Sequence, residues 1–278
     1  MVVALDDSLG QDHAAGPWIR VEPERDRVRV SCGGALERAE ARQLREDCGG
    51  LIDRGYLAAR ARLIDPHEAH QGAAAPGDPA GAHARAWGDD AAPELPGTSH
   101  FSIIDRAGNG LAMTTTIENG FGSRLMAEGF LLNNELTDFS FLPEEDGRPV
   151  ANRVEPGKRP RSSMTPLLVF DKAGRLVLTL GSAGGPAIIG DVAKSVIAVL
   201  DWHYDLQAAF DLLNIANRNG TTEIEAGPGA EALAEALTRR GHRVAIGEHG
   251  SGLAGIRVLA HGLEGATDPR REGAALGD

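Results

Sequence analysis

The second half of the chain shows the clearest pattern of hydrophobic and polar positions. Residues 101–104 and 111–117 have the composition of strands, and the run between them is rich in Asp, Asn and Gly. The same arrangement recurs where residues 167–170 and 176–180 flank a second Gly-containing turn. Short apolar segments separated by such turns are typical of β-hairpins. The sequence therefore predicts two antiparallel hairpins.

Helical spacing of apolar residues appears in three places. Residues 187–200 follow Pro186, which suits the first turn of a helix, and residues 229–240 are followed by Gly241, a common residue after a helix end. Residues 36–64 repeat Leu and Ile among Ala, Arg and Glu. Further strands are predicted at 243–246 and 255–260, with weaker candidates at 19–21 and 28–30. The pattern indicates an α/β or α+β fold with antiparallel hairpins.

Residues 66–97 have the composition of a linker. Five prolines stand among Ala, Gly and Asp, with almost no large apolar side chains. His67, His70 and His83 fall in this stretch, but their spacing does not match that of paired zinc ligands on a helix. An exposed linker is the prediction.

Charge and cysteine content narrow the function classes. The chain has 278 residues and a formal net charge of −12, which argues against nucleic-acid binding because such proteins carry a basic surface. Cys32 and Cys48 are too few for a disulfide framework or a cysteine zinc site, and a free pair is expected. Apolar runs stay shorter than a bilayer requires, and the first residues lack the features of a signal peptide. By its own sequence the chain would be cytoplasmic, and its native compartment stays open.

Two segments contain residues suited to binding charged groups. Ser162 and Ser163 follow a basic run, and hydroxyls beside cations suit a carboxylate. Glu135 and Asp138 follow an apolar segment, and paired carboxylates suit an ammonium group. Taken alone, a solvated turn and a capped turn explain these segments at least as well.

Two further segments carry groups that take part in acyl transfer. Gly184 and Gly185 precede a predicted helix, where free backbone N–H groups favour an oxyanion, although a plain helix-entry turn has the same pattern. Thr98 follows Pro96 and Gly97 at the end of the linker. Cleavage before Thr98 would make its amine a base for its own hydroxyl.

Together these segments resemble the γ-glutamyltranspeptidase family. The resemblance runs from Thr98 to about Arg271, the extent of the small catalytic subunit, and residues 51–66 resemble the last helix of the large subunit. The motifs occur in family order: Thr98-Ser99-His100-Phe101-Ser102, Thr114-Thr115-Thr116, Phe121-Gly122, Leu131-Leu132-Asn133-Asn134-Glu135, Asp138-Phe139-Ser140, Lys158-Arg159-Pro160-Arg161-Ser162-Ser163-Met164, Gly181-Ser182-Ala183-Gly184-Gly185 and Gly265-Ala266-Thr267-Asp268-Pro269-Arg270-Arg271.

The resemblance implies an N-terminal-nucleophile hydrolase with an α+β fold, a four-layer αββα sandwich. It implies autocatalytic cleavage of a zymogen between Gly97 and Thr98, followed by transfer or hydrolysis of γ-glutamyl groups from glutathione and related amides. Neither metal nor organic cofactor is implied. The expected partners are γ-glutamyl small molecules, with water, amino acids or peptides as acceptors, and no nucleic acid or membrane span.

The resemblance also assigns roles to individual residues. Thr98 corresponds to the nucleophile and Thr116 to the threonine that supports its amine. The remaining roles are these: oxyanion-hole amides at Gly184 and Gly185; α-amine binding at Glu135 and Asp138; α-carboxylate binding at Ser162 and Ser163; and an amine contact at Glu118, where many members have Asn.

The chain departs from the family in length. A family precursor is about twice as long, and its large subunit supplies sandwich strands, an arginine for the substrate carboxylate and any export signal. We therefore expect an incomplete sandwich, with 1–50 unassigned, 51–66 a large-subunit remnant, 67–97 a linker and 98–278 the catalytic domain. Two alternatives stay open: an inactive fragment that requires the missing large-subunit portion as a partner, and an acylase of the same family acting on glutaryl-type amides.

Overall fold

The computed structural model describes residues 18–24, 27–33, 50–79, 87–90 and 97–277. The chain divides into two compact units. Unit 1 takes its described residues from 1–84, 168–175 and 213–249, and unit 2 from 85–167, 176–212 and 250–278. The predicted helix over 36–49, Cys48 and parts of the predicted linker lie outside the described residues.

The regular elements, in chain order, are listed here with their bounds. The strands are β1 Trp18–Glu24, β2 Arg27–Gly33, β3 Thr98–Ile104, β4 Gly110–Thr116, β5 Met126–Ala127, β6 Phe130–Leu131, β7 Glu144–Glu145, β8 Arg148–Pro149, β9 Leu167–Phe170, β10 Leu176–Gly181, β11 Ile215–Ala216, β12 Thr222–Glu225, β13 Val244–Gly247, β14 Ala254–Leu259 and β15 Gly262–Thr267. The α-helices are α1 Arg54–Ala61, α2 Ile188–Leu200, α3 Leu206–Asp211 and α4 Ala230–Arg239, and 3₁₀ turns occupy Glu135–Asp138 and Gly185–Ala187.

Unit 1 contains a small mixed sheet. β12 pairs antiparallel with β11 and parallel with β13, and α4 packs on β12 and β13. The core of this unit includes the side chains of Ile224 and Ala230, both fully buried. β1 and β2 form a separate antiparallel hairpin, and α1 begins at Asp53, whose carboxylate accepts a hydrogen bond from the Tyr56 N–H.

Unit 2 is layered. β14 pairs antiparallel with β10 and β15, and α2 and α3 pack against this sheet. The β3–β4 hairpin packs against β10 and β14. Strand side chains alternate between the two faces, so the inner faces form a core that includes Leu178 and Leu180, both fully buried.

His100 and Gly181 determine how closely β3 approaches β10. The His100 ring lies where a Cβ on Gly181 would be, so only glycine leaves room for it. The ring also exchanges hydrogen bonds with the Thr114 and Ser102 hydroxyls, at 2.8 and 3.2 Å. Burial lowers the pKa of His100 to about 4, so the imidazole is neutral at physiological pH.

The outer face of the β3–β4 hairpin is partly open. Phe101, Ile103, Leu111 and Met113 are each 39–51% exposed, whereas the residues between them point inward. The described part of unit 2 therefore contains one helical layer and two sheets of the predicted αββα sandwich. The predicted α+β class and the incomplete sandwich are confirmed.

Most predicted elements are present, with several differences. The predicted helix over 36–64 is helical mainly over Arg54–Ala61 in its described part. The pattern analysis missed β15, a strand rich in glycine, and the six-residue helix α3. It also missed β11 and β12 of the unit 1 sheet and the two-residue strands β5 to β8. None of the helices formed by described residues is long and apolar enough to cross a lipid bilayer.

Two leucines of the β10–β14–β15 sheet provide a matched test of the core. Leu178→Ala removes a side chain that is 0% exposed and is expected to lower the free energy of unfolding by about 2–5 kcal/mol. Leu263→Ala removes the same group from a position that is 52% exposed, and a change within about 0.5 kcal/mol is expected. Urea unfolding of both variants measures the difference, and equal losses would contradict this assignment of the core.

Candidate active site

Thr98 lies at the start of β3, opposite Thr116 at the end of β4. Its side chain is buried. The Thr116 hydroxyl donates to the Gly97 carbonyl oxygen at 3.0 Å and accepts from the Glu118 N–H at 2.8 Å. The carbonyl of the predicted cleavage bond is therefore polarised by the residue paired with Thr98.

Gly97 is packed against the backbone that follows β4. A Cβ at this position would collide with the carbonyl oxygen of Glu118. Glu118 itself has φ 67°, in the left-handed region that side chains rarely adopt. Its carboxylate is buried and accepts a hydrogen bond from the Asn134 side-chain amide. A tight turn after β4 thus requires glycine at position 97.

A cavity of about 50 Å³ brings most of the predicted site residues together. Gly97 and Gly184 are not among its lining residues, and both adjoin residues that are. The predicted residues that line the cavity are Thr98, Thr116, Glu118, Glu135, Asp138, Ser162, Ser163 and Gly185. Sequence analysis did not place Arg161, Met164, Pro186 and Ile188 in the site, although they line the same cavity.

Glu135 and Asp138 lie on the 3₁₀ turn Glu135–Asp138. Burial, with the negative charges of Asp138 and Glu118 and a hydrogen bond to Asp138, raises the pKa of Glu135 to about 7. Its Oε2 atom is buried without a hydrogen-bond partner among the described residues. A buried acceptor without a donor is unfavourable, so this side of the cavity suits a cation with N–H donors, and the predicted role of Glu135 and Asp138 stays a prediction.

Residues 161–163 provide a cation and two hydroxyls, which suit an anion. Ser162 and Ser163 offer hydroxyls, and the Ser162 hydroxyl also accepts from the Met164 N–H at 3.2 Å. The Arg161 guanidinium forms an ion pair with Asp90, with Nη1 and Oδ2 3.0 Å apart. The basic run in the sequence indicated that a cation lies near Ser162 and Ser163, but it did not distinguish Arg161 from Lys158 or Arg159.

The glycine turn before α2 forms another wall. Gly184 has φ 131° and Gly185 has φ 59°, both positive, and Gly184 is pressed against the Gly250 carbonyl. Pro186 follows in the 3₁₀ turn that leads into α2. Backbone amides at such a turn suit an oxyanion, but the role of these two glycines stays a prediction.

The C-terminal segment contacts the start of β3. Arg271 Nη1 donates to the Thr98 carbonyl oxygen at 2.6 Å. The preceding Asp268 is buried, which raises its pKa, but hydrogen bonds from Ser251, the Leu253 N–H and Arg270 outweigh this effect and hold the pKa of Asp268 below its ordinary value. The hydrogen bonds of Asp268 hold the segment that carries Arg271. Sequence analysis did not identify the contact between Arg271 and Thr98. Within the described ranges, no group of three or more His, Cys, Asp or Glu side chains is arranged to hold a metal ion.

The chain is similar to curated proteins and to solved structures of one family. A glutathione hydrolase proenzyme of Bacillus subtilis is 37% identical over 186 residues, which cover 65% of this chain and 30% of the relative. The chain thus spans about a third of that relative's length. A γ-glutamyltranspeptidase of Pseudomonas nitroreducens, solved in complex with L-DON, has a TM-score of 0.56 and 32% identity over 64% of this chain and 98% of the solved chain.

A second solved structure supports the fold alone. The cephalosporin acylase of Bacillus halodurans has a TM-score of 0.62 at 24% identity, covering 80% of this chain and 38% of that one. The two solved structures together identify the N-terminal-nucleophile hydrolase fold. The family description "Gamma-glutamyltranspeptidase" matches residues 36–278. The chain therefore belongs to the γ-glutamyltranspeptidase family.

Proposed function

We propose that this chain carries the catalytic part of a γ-glutamyltransferase or glutathione hydrolase that matures by cutting itself between Gly97 and Thr98. The proposal rests on the cavity that Thr98 lines together with two sets of polar side chains. Glu118, Glu135 and Asp138 form an acidic wall, and Ser162 and Ser163 form a hydroxyl-bearing wall. An α-amino acid carries one ammonium and one carboxylate, and these two walls are complementary to them.

The first step is cleavage of the chain. The Thr98 hydroxyl attacks the carbonyl carbon of Gly97, which the Thr116 hydroxyl polarises from 3.0 Å. The C–N bond breaks as an ester forms, and the proton of the hydroxyl passes to the Thr98 nitrogen. Water then hydrolyses the ester, which leaves a carboxylate on Gly97 and a free amine on Thr98.

The second step is acyl transfer. The free amine of Thr98 takes the proton of its own hydroxyl, whose oxygen attacks the γ-carbonyl of a γ-glutamyl amide. N–H groups of Gly184 and Gly185 stabilise the oxyanion, and the departing amine takes the proton. Water attacking the resulting ester gives hydrolysis, and an amino acid or peptide amine gives transpeptidation.

The acidic wall favours a γ-glutamyl substrate over a glutaryl one. A glutaryl group has no α-amine, so it leaves the Glu135 Oε2 atom buried without a donor. A γ-glutamyl ammonium supplies that donor and compensates the charges of Glu135 and Asp138. γ-Glutamyl amides are therefore the proposed substrate class, and comparing γ-glutamyl with glutaryl anilides tests it.

The open outer face of β3–β4 bears on the activity of this chain by itself. The chain matches about a third of its curated relative, and Phe101, Ile103, Leu111 and Met113 are partly exposed. We propose that a polypeptide corresponding to the missing large-subunit portion is the protein partner. Assays should therefore include the chain alone and the chain with a large-subunit fragment of a relative.

Substitution of Thr98 tests the nucleophile. Thr98→Ala removes the attacking oxygen, and neither self-cleavage nor release of nitroaniline from γ-glutamyl-p-nitroanilide is expected. Thr98→Ser keeps a hydroxyl and is expected to retain both at a reduced rate. Intact-mass spectrometry after incubation at neutral pH measures cleavage, and a Thr98→Ala chain that still yields the fragments 1–97 and 98–278 would contradict the assignment.

Gly97→Ala tests the tight turn at the cleavage bond. Its Cβ would meet the Glu118 carbonyl, so the bond moves away from Thr116. Cleavage is expected to slow by up to about 100-fold, the cost of a displacement near 1 Å. Gly120→Ala is the matched control, since nothing lies within 4 Å of its Cβ. Time courses of cleavage for the two variants should differ, and equal rates would count against the role of this contact.

The raised pKa of Glu135 predicts a pH dependence of substrate binding. Below about pH 7 Glu135 is mostly protonated, and as pH rises its carboxylate form becomes available to the substrate ammonium. We expect kcat/KM for γ-glutamyl-p-nitroanilide to rise through this range. Glu135→Gln should lower kcat/KM about 10- to 100-fold at pH 8. It should also remove the part of the rise that is due to ionisation of this carboxyl, so that only the part due to the Thr98 amine remains.

Glu128→Gln is the control for that experiment, because Glu128 is exposed on the same segment of chain. Its pH profile should match that of the unchanged protein. An unaltered profile in Glu135→Gln would show that Glu135 does not receive the ammonium.

A further inference from the structure

We propose that Arg161 binds the α-carboxylate of the substrate, and that Asp90 occupies the Arg161 guanidinium while the chain is uncut. The inference rests on the proposed function for the identity of the ligand. It assigns a cation to the site from residues of this chain, together with a carboxylate that competes for that cation before cleavage.

The charges that line the cavity require such a cation. Glu118, Glu135 and Asp138 supply three carboxylates, and among the described residues that line the cavity Arg161 is the one basic side chain. A ligand with both an ammonium and a carboxylate is attracted to the acidic wall through its ammonium and is repelled from it through its carboxylate. A guanidinium on the other wall offsets that repulsion and can donate two parallel hydrogen bonds to the carboxylate.

Arg161 is held in place by its backbone and its ion pair. The Arg161 N–H donates to Asn152 Oδ1 at 2.9 Å. The Asn152 amide nitrogen donates to Asp90 Oδ2 at 2.8 Å and to the Asp138 carbonyl oxygen at 2.7 Å. Asn152 thus connects the Arg161 backbone, the Asp90 carboxylate and the Asp138 backbone, and the ion pair with Asp90 orients the Arg161 side chain before any ligand arrives.

The other two cations of the basic run do not fit this role. Lys158 donates to the Ala151 and Arg153 carbonyls and pairs with Glu155 at 3.0 Å. Arg159 is exposed and is absent from the cavity lining. Removal of Arg159 therefore provides a charge-matched control.

Asp90 stands in the position of a ligand carboxylate. Its Oδ2 lies 3.0 Å from Arg161 Nη1, and the two side chains are 14% and 31% exposed. Asp90 belongs to the segment upstream of Thr98 that cleavage would separate from β3. Departure of Asp90 from Arg161 removes a carboxylate that competes with the ligand for the guanidinium.

Ligand binding to the full chain tests this without any turnover. L-glutamate has the α-amine and both carboxylates, and 4-aminobutanoate is the same molecule without the α-carboxylate. In calorimetric titrations Arg161→Met should weaken L-glutamate binding about 10- to 100-fold and leave 4-aminobutanoate unchanged. Arg161→Lys should lie between, because it keeps the charge and loses the paired donors. Asp90→Asn should tighten L-glutamate binding about two- to fivefold by removing a competing carboxylate.

Arg159→Met should bind L-glutamate as the unchanged chain does. The assignment is overturned if Arg161→Met binds L-glutamate normally, if it weakens both ligands equally, or if no variant binds L-glutamate. Its failure is distinguishable from failure of the proposed function. Arg161-dependent glutamate binding without γ-glutamyl turnover leaves this inference standing, and turnover that Arg161→Met does not alter overturns it alone.

Discussion

The pairing of Thr98 with Thr116 is the constraint on which the site depends. Antiparallel register places these residues opposite each other, and a slip of one residue would turn every side chain of β3 to the other face. The same pairing brings the Gly97 carbonyl under the Thr116 hydroxyl. The packing of the His100 ring against Gly181 holds this register, since the ring fits only above a residue without a side chain. A packing contact thus fixes the position of the bond that we propose is cleaved, between Gly97 and Thr98.

The site concentrates like charges that are unfavourable in the folded chain by themselves. Glu135 has a pKa near 7 because burial and two neighbouring carboxyls oppose its ionisation. A strongly shifted pKa in a cavity is characteristic of functional sites, where a bound ligand supplies what the protein lacks. Here the missing partner is a donor for Glu135 Oε2. Asn134 and Asn152 supply neutral donors to Glu118 and Asp90, so the acidic cluster is held by amides.

The C-terminal segment connects β3 to the helical layer. Arg270 pairs with Asp268 and donates to the Phe210 and Leu212 carbonyls at 2.7 and 2.9 Å, which ties this segment to the end of α3. The adjacent Arg271 reaches the Thr98 carbonyl. The segment therefore helps to orient the start of β3. By contrast, the outer face of β3–β4 has no comparable cover within the described part of unit 2, as expected for a sandwich lacking one layer.

The sequence by itself determined many of the local elements and the family. Short apolar segments and turn residues located β3, β4 and β10, and helical spacing located α2 and α4, because these patterns depend on neighbouring residues. The ordered motifs from Thr98 onward carried the family resemblance. Only the tertiary structure decided which of three nearby cations lines the cavity. Lys158, Arg159 and Arg161 are all basic residues of one short segment, and of these three Arg161 lines the cavity in the folded chain. The same holds for Glu135, whose pKa depends on carboxyls brought close by folding.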